Sequence, residues 1–329
     1  MSGDSASVES RLKSTDETGR RRAILITGSA SGIGLETARI FNSHGWFVVA
    51  VDNNATTSTD KATGRPRRGL DELKTEFGDA NVHTAVVDVS KKDAFDALIS
   101  ELETILPERC GSSMAVLDVV FANAGIGRGG LWSEQAWQDH LDVVNINFVG
   151  VMVTIYSALK LMKGTPGGLV FSTSSCSAMY SMPGIATYSA AKHAVKGLTE
   201  ALSIELGSFG IRVADTLPGT INTPLMPTAS AEKASAAPEK SPFRLIEPAQ
   251  VAECVWKSWV NDPDGKDALG DSTQDRIHWY VPEELQSDVD AVVNTRGGAE
   301  KIRGLYRETM WKQWEAAIQA AAAAKAADV

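Results

Sequence analysis

AILITGSASGIG, residues 23–34, is the stretch that decides the fold class of this chain. The run from Ala23 to Thr27 is apolar and bounded by charge and glycine, which is typical of a buried strand. Apolar residues at helical spacing follow from Gly34 to His44. Glycines at 28, 32 and 34 let the backbone between strand and helix turn tightly and approach a pyrophosphate, whose charge meets the helix N-terminus. This stretch therefore predicts a βα unit that binds a dinucleotide.

Strands and helices alternate along the rest of the chain. We expect further strands at 46–51, 82–87, 115–122, 169–172, 211–216 and 276–282, and helices at about 70–77, 91–105, 133–162 and 184–208. Such alternation indicates βαβ units and a parallel sheet. The sequence thus predicts an α/β fold over residues 23–282, as a single doubly wound domain with a mainly seven-stranded parallel sheet.

Four segments depart from that alternation. Residues 1–22 are polar and are interpreted as a disordered tail, and residues 53–69 as a surface insertion. Residues 218–248 are rich in Pro, Ala, Ser and Lys and have the length of a lid or of a disordered segment, and we expect a lid. Residues 283–329 are predicted to be a helical extension with an amphipathic stripe. That stripe comprises Ile302, Tyr306, Met310, Trp314 and Ile318.

Composition restricts the classes of function. The chain of 329 residues has a formal net charge of −9 and a pI of about 5.2, which argues against a nucleic-acid partner. No apolar run reaches the length that a membrane span needs. Cys110, Cys176 and Cys254 are few and widely spaced, which favours a reducing compartment, so we expect a cytoplasmic protein. Neither they nor the histidines show the spacing of metal ligands, and no metal is expected.

Asp52 closes the second predicted strand. A carboxylate at that place accepts hydrogen bonds from the adenosine ribose and repels a 2′-phosphate, which favours NAD over NADP. The insertion carries Arg65, Arg67 and Arg68, and these arginines could fold back onto a phosphate. NADP therefore stays open.

Tyr188 and Lys192 are four residues apart in a predicted helix, so both lie on one face. A free tyrosine is a poor base at neutral pH, and a neighbouring ammonium favours the phenolate. Ser175 lies 13 residues earlier, at the carboxyl end of a predicted strand, which is where ligands bind in parallel sheets. Together the three residues indicate proton transfer at a bound substrate.

With these motifs the chain resembles the short-chain dehydrogenase/reductase family, in its short oligomeric branch. Residues 27–34 match its TGxxxGxG and residues 123–125 its NAG. Asn147 matches its helix asparagine, and Ser175, Tyr188 and Lys192 match its S…YxxxK. Residues 218–223 match its PGxxxT, and Asp88 with Val89 matches the pair after strand three. The resemblance covers about residues 23–260 and implies a Rossmann-type domain.

The resemblance also implies roles. Tyr188 would be the acid/base, Lys192 would lower its pKa and bind the nicotinamide ribose, Ser175 would hold the substrate oxygen, and Asn147 would hold a water that relays protons. The expected cofactor-binding residues are Gly28, Ser31, Gly32, Ile33, Gly34, Asp52, Asp88, Val89, Asn123, Ala124, Gly125, Tyr188, Lys192, Pro218, Gly219, Ile221 and Thr223. Cys176 is interpreted as a small buried hydrophobe.

The substrate pocket is expected to be apolar. Besides Ser175 and Tyr188, its expected residues are Met179, Met182, Leu225 and Met226, with Ile126, Trp132 and Phe243 as further candidates. Apolar walls with few polar groups bury most of a ligand. The resulting hypothesis is an NAD-dependent oxidoreductase that interconverts a bulky, largely apolar alicyclic or aromatic secondary alcohol and its ketone.

Two alternative functions and the oligomeric state stay open at this point. An NADPH-dependent ketoreductase in a biosynthetic pathway and a non-catalytic cofactor-sensing regulator are the alternatives. In the family, helices corresponding to 133–162 and 184–208 usually form a dimer face, so a homodimer or homotetramer is expected. The usual glycine-rich ending of the family is missing here, and this leaves the tetramer packing undecided.

Overall fold

The computed structural model describes residues 8–60, 63–163, 167–236, 244–260 and 276–293. Its main element is a sheet of seven strands, all paired in parallel. The strands are β1 (Ala23–Thr27), β2 (Phe47–Asp52), β3 (Val82–Val86), β4 (Val119–Ala122), β5 (Leu169–Thr173), β6 (Arg212–Pro218) and β7 (His278–Val281). The predicted doubly wound parallel sheet is confirmed.

The strand order in space is β7-β6-β5-β4-β1-β2-β3. The chain builds outward from β1 through β2 to β3, then crosses back to place β4 on the other side of β1. In register, Ile24 of β1 lies between Val48 and Val119. Such a reversal opens a crevice at the carboxyl ends of β1 and β4, where ligands bind in open α/β sheets.

Helices cover both faces of the sheet. They are α1 (Val8–Leu12), α2 (Gly32–Ser43), α3 (Leu70–Phe77), α4 (Lys92–Cys110), α5 (Trp137–Val144), α6 (Gly150–Ala158), α7 (Ala186–Glu205), α8 (Thr228–Ser235), α9 (Pro248–Val260) and α10 (Leu285–Val293). One turn of π-helix, Asn145–Val149, joins α5 to α6.

The core consists of two layers, one on each face of the sheet. Ile24 and Ile26 face the layer under α2 and α9, whereas Ala23 and Leu25 face the layer under α4 and α6. This alternation is the period of two that a strand imposes on its side chains. Because both faces are covered, β1 and β2 are buried along their whole length, which explains their continuous apolar runs.

The segment Trp137–Leu161 is the one helix in the described residues that is long and apolar enough to cross a membrane, judged by length and composition alone. Half of its apolar window is buried inside the structure. Val151, Val153 and Ile155 belong to the core layer under α4. The apolar composition of this helix therefore has an explanation in core packing.

The predicted disordered tail is wrong for residues 8–22. Arg11, 2% exposed, donates to the Trp259 carbonyl at 3.0 Å, and the Trp259 indole donates back to the Arg11 carbonyl at 2.9 Å. Arg20 donates two hydrogen bonds to Asp118, at 2.9 and 2.8 Å. The arginines are buried because each finds partners far along the chain, which a local composition cannot show. Residues 1–7 lie outside the described residues.

The other three segments are partly described. In the insertion, Ser58–Thr59 pairs antiparallel with Pro66–Arg67. In the predicted lid, Thr220–Ile221 pairs with Leu245–Ile246, and α8 lies between them in the chain. The predicted extension begins with α10, but the stripe from Ile302 to Ile318 lies outside the described residues, as does Phe243. Lid closure and the packing of the stripe stay predictions.

Candidate active site

The glycine turn after β1 is packed so tightly that side chains are excluded. Gly28 has a φ of +69°, and a Cβ there would lie 2.9 Å from the Ala124 Cα. A Cβ on Gly34 would lie 2.1 Å from the Gly28 carbonyl oxygen. The backbone can therefore fold back on itself at the head of α2 only because these residues are glycine.

The N-terminus of α2 lies at this turn and is suited to an anion. Its N-cap, Ser31, makes no side-chain hydrogen bond to the first helical turn. The amides of that turn, from Gly32 to Gly34, lie at the positive end of a helix of 12 residues. An uncapped helix start against a glycine turn fits the pyrophosphate of a dinucleotide.

Asp52 lies at the carboxyl end of β2 and is 4% exposed. Its Oδ2 accepts from the Ala30 amide at 3.1 Å, and its Oδ1 accepts from the Asn54 amide at 3.0 Å and from Arg67 Nη2 at 3.2 Å. Burial raises its pKa, while the Ala30 amide and the Arg67 charge oppose that rise. A carboxylate has about four acceptor positions, so Asp52 keeps little capacity for ribose hydroxyls, and an arginine lies beside it.

Asp88 and Val89 follow β3, as the motif predicts. The Asp88 Oδ1 accepts from the Ser90 amide at 2.9 Å and from the Ser90 hydroxyl at 2.8 Å, which fixes a tight turn. Val89 is buried against Gly150, where a Cβ would lie 2.6 Å from the valine Cγ2. The turn thereby joins the start of α4 to the start of α6.

Asn123 joins the carboxyl ends of three strands. Its Nδ2 donates to the Thr27 carbonyl of β1 at 3.0 Å, and its Oδ1 accepts from the Thr173 hydroxyl of β5 at 2.9 Å. The amides of Asn123 and Ala124 both donate to the Thr27 hydroxyl, at 3.0 and 3.1 Å. These bonds hold the floor of the crevice in one arrangement.

Asn147 is fully buried in the π-helical turn. Its Oδ1 accepts from the Ile126 amide at 2.8 Å, and its Nδ2 donates to the Ile126 carbonyl at 2.9 Å. A Cβ on Gly125 would lie 3.2 Å from the same Oδ1. Both polar groups of the side chain therefore hold the loop after β4, and the water that the resemblance assigns to Asn147 stays a prediction.

Ser175 and Tyr188 are hydrogen-bonded to each other through their side chains. Ser175 is 9% exposed, and its hydroxyl accepts from the Ser177 amide at 3.1 Å, which fixes its direction at the end of β5. Burial raises the pKa of Tyr188 to about 12, against a hydrogen bond from Ser175 that lowers it. In the protein alone, Tyr188 is therefore a neutral phenol at neutral pH and a proton donor.

Lys192 lies one helical turn beyond Tyr188 on α7. Its Nζ donates to the Thr173 carbonyl at 2.7 Å and lies 5.5 Å from the centroid of the Tyr188 ring. Burial lowers the pKa of Lys192 to about 8, and the charge of Asp215 opposes this. The lysine is thus held between the end of β5 and Tyr188, and it is positively charged at neutral pH.

The loop after β6 closes the crevice on its other side. The Gly219 amide donates to the Val281 carbonyl at 2.9 Å, which aligns Pro218 and Gly219 with β7. Thr223 then reaches the head of α2, where a Cβ on Gly32 would lie 2.9 Å from the threonine Cγ2. Residues 218–223 therefore extend from the sheet edge to the amides of Gly32 to Gly34. These amides are here called the pyrophosphate seat, because they suit an anion.

Comparison with known proteins agrees with this geometry. Residues 22–234 match the model of the short chain dehydrogenase family. The chain belongs to the short-chain dehydrogenases. Its relatives are named dehydrogenases and reductases, and the protein is an NAD(P)-dependent oxidoreductase. The resemblance, the fold, the enzyme class and the use of NAD(P) are confirmed.

Individual relatives share about a third of their residues with this dehydrogenase. A cis-4-hydroxycyclohexanecarboxylate dehydrogenase of Sinomonas cyclohexanicum is 30% identical over 242 residues, which cover 71% of this chain and 87% of the relative. A cyclohexanol dehydrogenase of Acinetobacter is 29% identical over 235 residues, covering 71% and 86%. A short chain dehydrogenase of Mycobacterium paratuberculosis, bound to NAD, has the same fold, with a TM-score of 0.65, 24% identity and coverage of 83% and 98%.

The apolar residues predicted for the substrate pocket of this dehydrogenase are only partly buried. Leu225 is 37% exposed and lies over Gly127, where a Cβ would be 3.1 Å from the leucine Cδ2. Met179 also packs against its own core cluster of Cys176, Leu217 and Leu285. Met182 and Met226 are half-buried. These pocket residues stay a prediction. Among them, Leu225 packs on the loop after β4 at Gly127.

Sequence reasoning missed a cluster that holds the start of α7. The Thr187 hydroxyl, next to Tyr188, contacts His140 Nδ1 at 2.8 Å and accepts from the Trp132 indole at 3.2 Å. Trp132 and His140 lie with ring centroids 5.1 Å apart. No local motif marks these residues, since the pairs are 47 and 55 positions apart. Their effect is to fix the helix turn that presents Tyr188.

Proposed function

We propose that this dehydrogenase interconverts a bulky, largely apolar secondary alcohol and its ketone with NAD. The observation that carries the proposal is the position of Ser175, Tyr188 and Lys192 at the carboxyl edge of the sheet, where Lys192 Nζ donates to the Thr173 carbonyl and lies 5.5 Å from the centroid of the Tyr188 ring. Leu225 and Met182 are among the apolar residues predicted to border the substrate. A pocket with a few polar groups among apolar walls orients a ligand and buries its remainder.

Each polar side chain has a distinct task in this reaction. Ser175 donates its hydroxyl to the substrate oxygen, because its other side already accepts from Ser177. Tyr188 gives a proton to that oxygen in ketone reduction and takes it back in alcohol oxidation. Lys192 keeps a positive charge beside the ring, which stabilises the phenolate left after donation. The bound nicotinamide supplies or accepts the hydride.

Asn147 and Leu225 act on the loop after β4 and not on the reacting atoms. Asn147 fixes the amide and carbonyl of Ile126, and these lie at the start of the loop that Leu225 covers. The position of the substrate carbon is thereby tied to the sheet. When Leu225 and the loop around Gly127 stay in contact, the mouth is narrowed and water is excluded during transfer.

The class of substrate has support from both charge and relatives. Arg128, the cation nearest to the loop after β4, is 3.2 Å from Asp139 and is thereby engaged. The relatives from Sinomonas and Acinetobacter are named for a hydroxycyclohexanecarboxylate and for cyclohexanol, so an alicyclic secondary alcohol is common to both names. The relatives thus support an alicyclic alcohol rather than a sugar, and the preference for a neutral substrate rests on the pairing of Arg128 with Asp139.

The test is a comparison of substrates under NAD-linked oxidation. We expect kcat/KM to be higher for a bicyclic or aryl secondary alcohol than for a small charged hydroxy acid. The control is Tyr188→Phe, which lowers both activities if they arise at this site. A higher kcat/KM for the hydroxy acid overturns the proposed substrate class, and turnover of neither substrate with either cofactor favours the non-catalytic regulator.

One observation favours the second candidate, an NADPH-dependent ketoreductase. Arg67 lies 3.2 Å from Asp52, so the carboxylate that should repel a 2′-phosphate is paired with a cation. Comparing kcat/KM for NAD and NADP decides between the two. An equal or higher value with NADP gives the ketoreductase.

We further propose that the enzyme works as a homodimer or homotetramer in the cytoplasm. Met152 and Tyr156 of α6 and Ile204 of α7 are 42%, 69% and 81% exposed, and apolar side chains grouped on long helices suit a subunit contact. The three cysteines are free and buried, as suits a reducing compartment. A monomeric mass by light scattering at micromolar concentration overturns the assembly.

A further inference from the structure

The described part of the insertion, residues 53–60 and 63–69, here called the arm, spans the cofactor crevice. The arm leaves β2 at Asp52, on one side of the strand reversal, and returns to the sheet through α3 at Leu70. Between these points it contacts the loop that follows β6, on the other side of β1. It thus connects two segments that border the crevice from opposite directions.

Three hydrogen bonds make that contact. Arg65 Nη1 donates to the Thr223 carbonyl at 2.7 Å, and Arg65 Nη2 donates to the Asn222 Oδ1 at 2.9 Å. The Thr63 hydroxyl donates to the Pro224 carbonyl at 2.7 Å. The fork of a guanidinium fits two acceptors at once, and such charge-assisted bonds are among the stronger ones in proteins.

The arm is itself firmly held, so these bonds restrain the loop. Its two halves pair as a short hairpin, Ser58 opposite Arg67. At its base, Asn54 Nδ2 donates to the Arg68 carbonyl at 2.8 Å, and Arg67 pairs with the buried Asp52. Each connection leads back to β2 and the sheet.

The restrained loop lies over the pyrophosphate seat. Thr223, whose carbonyl Arg65 holds, places its methyl group at the head of α2, beside Gly32. A dinucleotide that reaches from Asp52 to Tyr188 must cross the head of α2, and Thr223 lies against Gly32 at that place. With the arm attached, the loop cannot lift away from the helix unless the Arg65 bonds break.

We propose that Arg65 is a positioning residue that latches the arm to residues 222–224 across the crevice and so sets the rate at which the dinucleotide is exchanged. The latch holds Thr223 against the head of α2 and keeps the bound dinucleotide covered. Its opening precedes both binding and release. Binding and release of the dinucleotide therefore both become faster when the latch is removed. Release is accelerated more than binding, because the loop is then also less well placed to cover the bound dinucleotide.

The experiment measures release of NADH by stopped-flow fluorescence, with no alcohol or ketone present. Arg65→Ala is compared with the wild type and with Arg68→Ala, a matched control in the same arm. Arg68 pairs with Glu72 and Glu76 of α3 and makes no described contact with the loop. We expect release about tenfold faster in Arg65→Ala, from the loss of two hydrogen bonds, and unchanged in Arg68→Ala.

Further variants separate the latch from a general loss of structure. Thr63→Val removes the bond to the Pro224 carbonyl without removing charge, and with it the contacts of the same hydroxyl with Asp60 and the Arg65 amide inside the arm. We expect release to be about threefold faster. Arg65→Lys keeps the charge but loses the fork, and we expect a rate between those of the wild type and Arg65→Ala. Near-ultraviolet circular dichroism verifies folding, and if Arg65→Ala does not fold, Thr63→Val and Arg65→Lys decide.

Each outcome decides a separate question. Equal release rates in the wild type and the Arg65 and Thr63 variants refute the latch. Equal acceleration in Arg68→Ala also refutes it, since that result means a loosened arm and not a lost contact. Binding of neither NADH nor NADPH by the wild type overturns the cofactor site itself, and with it the latch.

Discussion

Replacing Lys192 by methionine tests how this dehydrogenase activates its tyrosine. In the protein alone, burial raises the pKa of Tyr188 to about 12 and lowers that of Lys192 to about 8. At pH 8, ionising Tyr188 therefore costs about 5 kcal/mol, taking 1.36 kcal/mol for each pKa unit between that pH and the pKa of the phenol. Catalysis of alcohol oxidation requires the phenolate, because a neutral phenol cannot accept a proton.

The ammonium offsets a large part of that cost. At the 5.5 Å between Lys192 Nζ and the ring centroid of Tyr188, two unit charges attract by about 3 kcal/mol at an effective dielectric constant of ~20. The remaining ~2 kcal/mol is assigned to the bound, positively charged nicotinamide, because the Ser175 hydrogen bond is already included in the pKa of Tyr188. We therefore expect the phenolate to form in the complex with the oxidised cofactor and not in the protein alone.

Lys192→Met should cut alcohol oxidation at pH 8 by about 100-fold, which is what 3 kcal/mol corresponds to. The rate of oxidation rises with pH, since the phenolate accepts the proton, and the rise should move to higher pH in the variant. Reduction has the opposite sign, because it needs the protonated tyrosine and is lost as pH rises. The assay is kcat against pH at saturating cofactor, with Lys192→Arg as the variant that keeps the charge. An unchanged pH profile in Lys192→Met, with less than a threefold loss of kcat, refutes the electrostatic argument.

Three more changes have definite expected outcomes. Tyr188→Phe should abolish turnover and leave the Kd for NAD nearly unchanged, measured by calorimetry, because only the proton donor is lost; substantial residual activity would contradict its role. Arg67→Ala should lower kcat/KM with NADP about tenfold and spare NAD, since it exposes a 2′-phosphate to the unpaired charge of Asp52; equal losses with both cofactors would show a structural role only. Asp118→Asn should reduce the free energy of unfolding by about 3–5 kcal/mol in a urea titration, because it removes the buried carboxylate that Arg20 and Arg22 share and leaves Arg20 only the more exposed Asp16; a loss under 1 kcal/mol would mean that the cluster is not buried in solution.

Much of the fold was predictable because the determinants are local. The turn from Thr27 to Gly34 needs glycines for reasons of backbone geometry that are visible in the sequence. Strands buried on both faces leave continuous apolar runs, so β1 was predicted with its observed bounds and β2 within one residue. The Tyr188 and Lys192 spacing likewise places both side chains on one face of α7 wherever that helix packs.

The remainder depends on partners that are distant in sequence. Arg11 and Arg20 looked like a solvated tail, but their partners are Trp259 and Asp118. The carboxylate of Asp52 was expected to be open to the ribose, and Arg67, which comes from a hairpin of no recognisable pattern, changes its environment. The two members of each contact come together only when the chain has folded. The sequence around one member therefore does not reveal its partner.

The charge cluster formed by Arg20, Arg22 and Asp118 closes the amino-terminal edge of the sheet, opposite the crevice. The Asp118 Oδ2 also accepts from the Ala23 amide at 2.9 Å, so the cluster ties β4 to the first residue of β1. The amino-terminal edge of these strands thus stabilises the sheet, whereas the carboxyl edge carries the candidate active site. Evolution can therefore adjust thermal resistance at one edge while leaving substrate choice at the other untouched, and it can vary the arm and the mouth of the pocket without weakening the frame that carries them.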